Sequence, residues 1–301
     1  MTSPKPDYRN IIQEQMRRNL RKRILINKAI SVYAIVCIAA AIIPLGSILI
    51  EVVKNGAGVI SIDFLTEPQG SIGSGKGGIG PAIQGTLIVV GLASAIAAPV
   101  GVLAGIYLSE FAGDGIFAHG VRFLNDVLTG LPSIVIGIVG YVTIVLVLGS
   151  FSVVAGALAL SIIMIPIVVR VTEETLKIVP HSLREGGYAL GISKAKITLS
   201  IVLMTAKSGV LTGIVLGIAR IAGETAPLIM TILGTSLFFS GLTGPVDALP
   251  LRIWRLASQP YESAHFFGWG AALILILIVL GLNLGLRLLA RYKGIPIKAE
   301  V

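Results

Sequence analysis

Two ionisable side chains stand where the sequence is otherwise apolar. In the run Ala219-Arg220-Ile221-Ala222-Gly223-Glu224-Thr225-Ala226-Pro227-Leu228, a guanidinium and a carboxylate lie four residues apart. Four residues is about one helical turn, so the two share a face. Counted from Thr205 at about 1.5 Å per residue, Arg220 lies roughly 22 Å into its apolar run. A charge at that depth is costly and usually faces a bundle interior or a water-filled path. The chemistry on offer is anion contact, because a guanidinium presents a planar fork of donors to an oxyanion. Glu224 would then hold Arg220 when no anion is present. A structural pair that neutralises itself is the plainer alternative. Arg170 closes another apolar run, and its position alone reads as an end residue whose stem is buried and whose head reaches water. Asp126, in a third run, is a partner for either arginine, and Lys207 reads as an interface anchor.

Little else in the sequence offers chemistry. Cys37 is the single cysteine, so a disulfide framework and a thiolate metal site are excluded. His119, His181 and His265 are far apart and lack metal-ligand spacing, which argues against a metal site and a Ser/His/Asp hydrolase. Gly70-x-x-x-x-Gly75-Lys76 matches most of a phosphate-binding loop, but Gly77 stands where Ser or Thr is needed for magnesium. No catalytic residue, cofactor or metal is therefore expected, and ATP hydrolysis is not expected of this chain itself.

The elements that must position Arg220 and Glu224 follow from composition. Of 301 residues, 54% are hydrophobic and 13% charged, against about 25% charged in soluble domains. Mean hydropathy is +0.91. These values exclude a soluble enzyme and a disordered protein. Apolar runs long enough to cross a bilayer occur near 29–53, 82–108, 123–148, 152–169, 201–233 and 264–286. The first run exceeds a signal-peptide core, so it is read as an uncleaved span. The expected fold is all-α, with six transmembrane helices around a permease-like domain over 30–290. A basic segment, 1–29, precedes it and a tail, 291–301, follows it.

Six spans place both ends on one side. That side collects eighteen of the Lys and Arg residues, the other side four, and two lie within the fifth run. Positive residues stay in the cytoplasm, so both termini are expected there. The net charge of +9 is assigned to these loops and not to nucleic-acid binding. Gly101-x-x-x-Gly105, Gly213-x-x-x-Gly217 and Gly281-x-x-x-Gly285 permit close helix approach, although such spacing also arises by chance in glycine-rich spans.

The segment 170–200 is the main cytoplasmic feature. Pro180 breaks the chain, and Ser182-x-x-Glu185 reads as a capping box that starts a helix near Leu183. Gly191 is its natural stop. A basic helix with Lys194 and Lys196 then leads into the fifth run. Leu183, Tyr188 and Leu190 stand among charged neighbours, a pattern that suits docking into a partner groove or lying at the membrane interface.

Glu185, five residues, Gly191, nine residues, then Ile201-x-Leu203 resembles the EAA loop by which ABC-importer permeases dock a cytoplasmic ATPase. Gly186-Gly187 stand where Ala-Ala is usual, and Met204 where Pro is usual. The strings Gly77–Leu87, Leu131–Gly137, Ala155–Leu160, Ile165–Glu174, Val179–Glu185 and Ala219–Leu228, in that order and spacing, resemble the phosphate-specific permeases of ABC importers, the PstA family. The resemblance covers about 77–260.

That resemblance implies the MetI-like permease fold, a second permease subunit of the PstC type, two copies of an ATPase of the PstB type and an extracytoplasmic phosphate-binding protein, in a prokaryotic cell membrane. It implies translocation roles for Arg220, Glu224 and Arg170, and ATPase coupling through Glu185, Gly191, Ser182, Leu183, Tyr188 and Leu190. An arginine alone does not separate tetrahedral anions, so sulfate or molybdate stays open. An ATPase-independent channel or secondary carrier is a rival that would leave 170–204 idle. An intramembrane enzyme would need more reactive groups than Arg220 and Glu224 provide.

Overall fold

The computed structural model describes residues 8–70, 76–113 and 115–292. The chain divides into a unit of residues 1–54 and a unit of residues 55–301. The first is carried by helix α1, Tyr8–Gly56, of 49 residues. No Gly or Pro interrupts residues 8–43, so the basic residues from Tyr8 onward and the first apolar run form one continuous helix. Of the tail expected over 291–301, Arg291 and Tyr292 still belong to the last helix. The remainder of that tail lies outside the described residues.

The second unit is helical throughout its described elements. α2 is Ile62–Thr66, whose cap Ser61 accepts from the Phe64 N–H. α3 is Gly80–Phe111, and Pro81 sits in its first turn, where a missing N–H costs nothing. α4 is Ile116–Gly130 and α5 is Ser133–Leu148. α6 is Val153–Ile178, capped by Ser152, which accepts from Ala155 N–H. α7 is His181–Ala189, α8 is Lys194–Ala222 and α9 is Ala226–Thr231. α10 is Leu249–Ala257 and α11 is Glu262–Tyr292.

α6 is the axis of this unit. α3 packs along one side of it through Gly101 and Gly105, where an added Cβ would stand 2.7 Å from Val168 and 2.6 Å from Thr172. α8 packs along another side through Gly209, Gly213 and Gly217, against Thr175, Val171 and Met164. Glycine is needed at these positions because the backbones approach too closely for a side chain. Two of the three glycine pairs are therefore helix contacts. The third is not: a Cβ at Gly281 or Gly285 would meet nothing within 4 Å. The core around α6 is apolar, with Val89, Leu160, Met164, Val168, Ile221 and Leu228 all buried.

Five helices are long and apolar enough to cross a membrane, and α4 with α5 makes a sixth, bent by 101°. Pro132 is the cause. It removes an N–H and pushes Leu131 into the extended region. The pair nevertheless travels the length of α6. Arg122 of α4 meets Glu173, Gly140 of α5 packs on Ala159, and the chain re-enters α6 at Val153. It is thus a broken crossing and not a hairpin. The single third span expected over 123–148 begins earlier and is broken, and the fourth runs on beyond 169 to Ile178. The fifth is also interrupted: α8 stops at Ala222 and α9 begins at Ala226.

At the end of the unit where α6 starts, the segment 233–249 folds over the mouth of α3. Leu249 N–H donates to Thr86 Oγ1 at 2.8 Å. Val246 bridges Leu233, whose backbone is left-handed at φ 63°. Arg252 and Asp247 form a fully buried ion pair there. Burial pushes the Asp247 carboxyl above the usual carboxylate range, and Arg252 offsets part of that.

Candidate functional site

Three groups of charged residues lie along α6 and α8. The first is the short helix α7 and its turn. Ser182 does not cap it. α7 starts at His181, with Pro180 before it and no side-chain cap bond. Pro180 sets the entry, so Ser182 lies inside the first turn and the expected capping box is not formed. The expected stop holds: Gly191 has φ +70°, a left-handed conformation that glycine adopts without strain. α8 then begins at Lys194, which makes the small helix-turn-helix read from the sequence.

Leu183, Tyr188 and Leu190 are exposed at 40%, 48% and 79%, and Glu185 is exposed beside them. α7 therefore presents an unpartnered mixed face. Its anchor is a residue that sequence reasoning gave no role. Arg184 donates to both oxygens of Glu110, at 2.6 and 3.1 Å, and to the carbonyls of Val179 and Leu176 at 2.6 and 2.9 Å. Its hydrogen bond to Glu110 holds the guanidinium even more firmly protonated than usual. The two residues are 74 apart in sequence, so no local spacing points to the pair.

Gly187 is buried, and a Cβ there would lie 2.8 Å from the Ile197 side chain. A Cβ at Gly186 would meet nothing within 4 Å. The Gly-Gly departure thus has a packing reason at Gly187 and none at Gly186.

The second group is the break after α8. Pro227 has no N–H to donate and would crowd the carbonyl of Gly223, so the helix cannot run through. Gly223 closes α8, and Thr225 O accepts from Leu228 and Ile229 as α9 starts. Arg220 and Glu224 form an ion pair across this break. The Arg220 side chain is 59% exposed and that of Glu224 is 7% exposed. Glu224 is therefore fixed in the protein and Arg220 is presented outward from it. α9 is held by α5: a Cβ at Gly137 would stand 2.8 Å from Pro227 Cα. Arg220 is also only two residues from the end of a helix that begins at Lys194. It lies near the far end of that helix and not in its middle.

The third group lies near the other end of α6. Arg170 donates to Asp126 at 2.9 Å and to Glu174 at 2.7 Å. Arg122 and Lys177 both reach Glu173, at 2.8 and 2.6 Å. Asn125 donates to the Pro166 carbonyl at 3.3 Å. These side chains line a cavity of about 170 Å³, which holds three cations and three carboxylates. Arg170 stands inside a helix that continues to Ile178, so it is not an end residue.

Asp126 belongs to Arg170 and not to Arg220. The two arginines are not in one constellation. The antiparallel contacts of Gly213 with Val171 and Gly217 with Met164 set the register of α8 on α6. By that register Arg220 lies roughly 10 Å beyond Arg170 along the axis, about two turns. Among the described residues, no group of three His, Cys, Asp or Glu is placed to hold a metal.

Comparison with known proteins bears on what these groups serve. Residues 97–293 match the family described as binding-protein-dependent transport system inner membrane component. The chain is 40% identical over 246 residues to the phosphate transport system permease protein PstA of Yersinia pestis, covering 82% of this chain and 83% of that protein. It is 40% identical over 248 residues to the probable phosphate transport system permease protein PstA of Methanocaldococcus jannaschii, covering 82% and 87%. Against PstA of Mycobacterium leprae it is 37% identical over 88% of both chains. Among solved structures, an inward-facing MetNI methionine ABC transporter aligns with a TM-score of 0.57 at 15% identity, covering 71% of this chain and 96% of that one. That likeness concerns the fold alone.

Proposed function

The chain belongs to the phosphate transport system permease proteins PstA, within the binding-protein-dependent transport system inner membrane components, and from that premise we propose that it forms half of the translocation path of an ATP-driven phosphate importer. The observation that carries the reading is 40% identity to PstA over 82% of the chain. ATP hydrolysis belongs to a separate ATPase of the PstB type, present in two copies. A PstC-type permease completes the path, and an extracytoplasmic phosphate-binding protein delivers the anion.

Both termini and α7 lie in the cytoplasm of a prokaryotic cell. Two arguments support this orientation: the six crossings, and the concentration of Lys and Arg on the α7 side. α7 then offers Leu183, Tyr188, Leu190 and Glu185 to the ATPase, with Ser182 in its first turn and Gly191 setting the turn that follows. Arg184 and Glu110 tie movement of α7 to the foot of α3.

Within the membrane, Arg220 is the anion contact. Its exposure in the single chain suits a surface that a second permease completes. Glu224 holds the guanidinium between passages and releases it to a tetrahedral oxyanion, whose edge can accept two parallel donors. Arg170 acts farther along, and its two carboxylates must give way for it to meet an anion. Alternating access then exposes these stations first to one side and then to the other.

The test is uptake of labelled phosphate into right-side-out vesicles that contain the four components and internal ATP, challenged with excess sulfate. Uptake that needs ATP and this chain and ignores sulfate is expected. Suppression by sulfate would reassign the substrate to a broader oxyanion class. Flux through this chain alone, without the ATPase, would overturn the coupled mechanism.

A further inference from the structure

One cavity with a polar wall lies away from all three charged groups. It measures about 350 Å³ and lies at the end of the unit where α6 begins, opposite α7. Three cations line it: Lys76, Arg252 and Arg255. Gln69, Ser236, Gln259 and Ser263 add polar groups. No carboxylate is among the described residues on its wall. Asp247 lies behind Arg252, pairs with it and also draws on the charge of Arg255.

The arrangement is built from the sequence in a regular way. Arg252, Arg255, Leu256 and Gln259 recur at i, i+3, i+4 and i+7, so α10 and the turn after it turn one face to the cavity. Ser263 and Phe267 do the same from the start of α11. Arg252 is 2% exposed, its Nε held by Asp247 Oδ2 at 2.5 Å. Its Nη2 donates to Thr235 O at 3.1 Å, and Arg255 Nη2 donates to Leu233 O. The plain reading is that both arginines clamp the turn at 233–235, whose first two residues are left-handed. That reading uses only part of what they carry. Among the described residues no acceptor is paired with Arg252 Nη1 or with Arg255 Nε and Nη1. Fixed guanidinium donors on the wall of a cationic cavity select an oxyanion with several acceptor oxygens over a halide. The volume sits at the lower end of small-molecule sites, which run from about 300 to 1,000 Å³. It has room for one phosphate group with water.

We propose that this cavity is a second phosphate-group site on the extracytoplasmic face, separate from Arg220 and built by Lys76, Arg252 and Arg255. Its placement on the outer face rests on the orientation given under Proposed function; its chemistry does not. The phosphate group is either free inorganic phosphate, held before it enters the path, or the headgroup of an outer-leaflet phospholipid.

The test uses the full chain purified with its partner subunits in detergent and carrying Arg220→Gln, which silences the intramembrane arginine. Equilibrium binding of labelled inorganic phosphate is measured without ATP or binding protein, and bound phospholipid is counted by native mass spectrometry. Lys76→Gln and Arg255→Gln are compared with the parent. Arg252 is left intact, because removing it strands Asp247 in the interior. A free-phosphate site gives saturable binding that each variant weakens about tenfold, the effect of losing one charged hydrogen bond. A headgroup site gives no such binding, but each variant lowers lipid occupancy. Both support the proposal. If neither phosphate binding nor lipid occupancy responds to either variant, the proposal is overturned. Import by the complex with Arg220 intact is measured alongside. Failed import with a responsive cavity would reject the importer reading and leave the cavity site standing. Normal import with an unresponsive cavity would do the reverse.

Discussion

Arg184 on α7 and Glu110 at the foot of α3 form a two-pronged ion pair, with side chains 12% and 7% exposed. The same guanidinium closes the last carbonyls of α6 at Leu176 and Val179. One side chain thus joins three elements, and two of them, α3 and α6, are membrane spans. α7 is thereby fixed to the feet of both spans.

Glu110→Ala is therefore expected to uncouple the importer. Removing one partner of a buried pair costs about 3–5 kcal/mol, because the other charge is left without compensation. Here the carbonyls of Leu176 and Val179 keep part of Arg184 satisfied, so the chain is expected to assemble with α7 loosened. ATP hydrolysis should persist while phosphate taken up per ATP falls about tenfold or more, the equivalent of about 1.4 kcal/mol in coupling. Glu110→Asp, which keeps the charge, should restore part of that ratio. Equal loss of hydrolysis and import would point to failed assembly instead.

The two glycines of α7 should behave oppositely. Gly186→Ala meets open space and removes a poor helix former, so it should stabilise α7 by up to about 1 kcal/mol. Gly187→Ala places a methyl against Ile197 and should pry α7 from the start of α8. Hydrogen exchange over 181–197 reads both: slower in the first variant, faster in the second. The same direction in both would mean that Ile197 yields and the contact does not set the helix pair.

The glycine pairs make a similar contrast in the membrane. Gly105→Val drives a branched side chain into Thr172 and the carbonyl of Val169, and should lower thermal stability by about 1–3 kcal/mol or prevent accumulation. Gly281→Val faces open space within this chain and should leave the fold of the isolated chain unchanged. A loss on Gly281→Val that appears only in the assembled complex would mark that stripe as a subunit contact.

The helical spans, the break at Gly191 and the Arg220–Glu224 pair were legible in the sequence, because each has a local signature: hydropathy, a glycine or a four-residue spacing. What depends on distant partners was not. Arg170, Glu173, Glu174 and Lys177 make the end of α6 look like a loop. Their charges are paired with Asp126 and Arg122 of α4 and with one another, so the helix runs on to Ile178. Pro132 and Pro227 are both visible, yet an apolar run hides a break, since hydropathy counts side chains and not backbone hydrogen bonds. The Glu110–Arg184 and Asp247–Arg252 pairs give no usable signal. The first joins residues far apart in sequence, and the second reads as loop charge until the fold buries it.

The Arg220–Glu224 pair yields the sharpest test of the translocation step. Glu224 is buried and Arg220 exposed, so the carboxylate is the fixed member and the guanidinium the one that can change partner. Glu224→Gln keeps the shape and removes the competitor. Arg220 then has no opposing charge to return to, and phosphate should leave more slowly. Labelled phosphate trapped on the complex should rise while import falls about tenfold or more, a change of about 1.4 kcal/mol in the balance between the two partners of Arg220. Arg220→Lys keeps the charge but loses the planar fork, so binding and import should both fall. Arg220→Ala should abolish import while the complex still assembles. These three patterns differ from those of a purely structural pair, for which Glu224→Gln and Arg220→Ala would both lower the yield of complex and neither would raise phosphate retention. Uptake at the unmodified rate by an assembled Arg220→Ala complex would remove Arg220 from the path altogether.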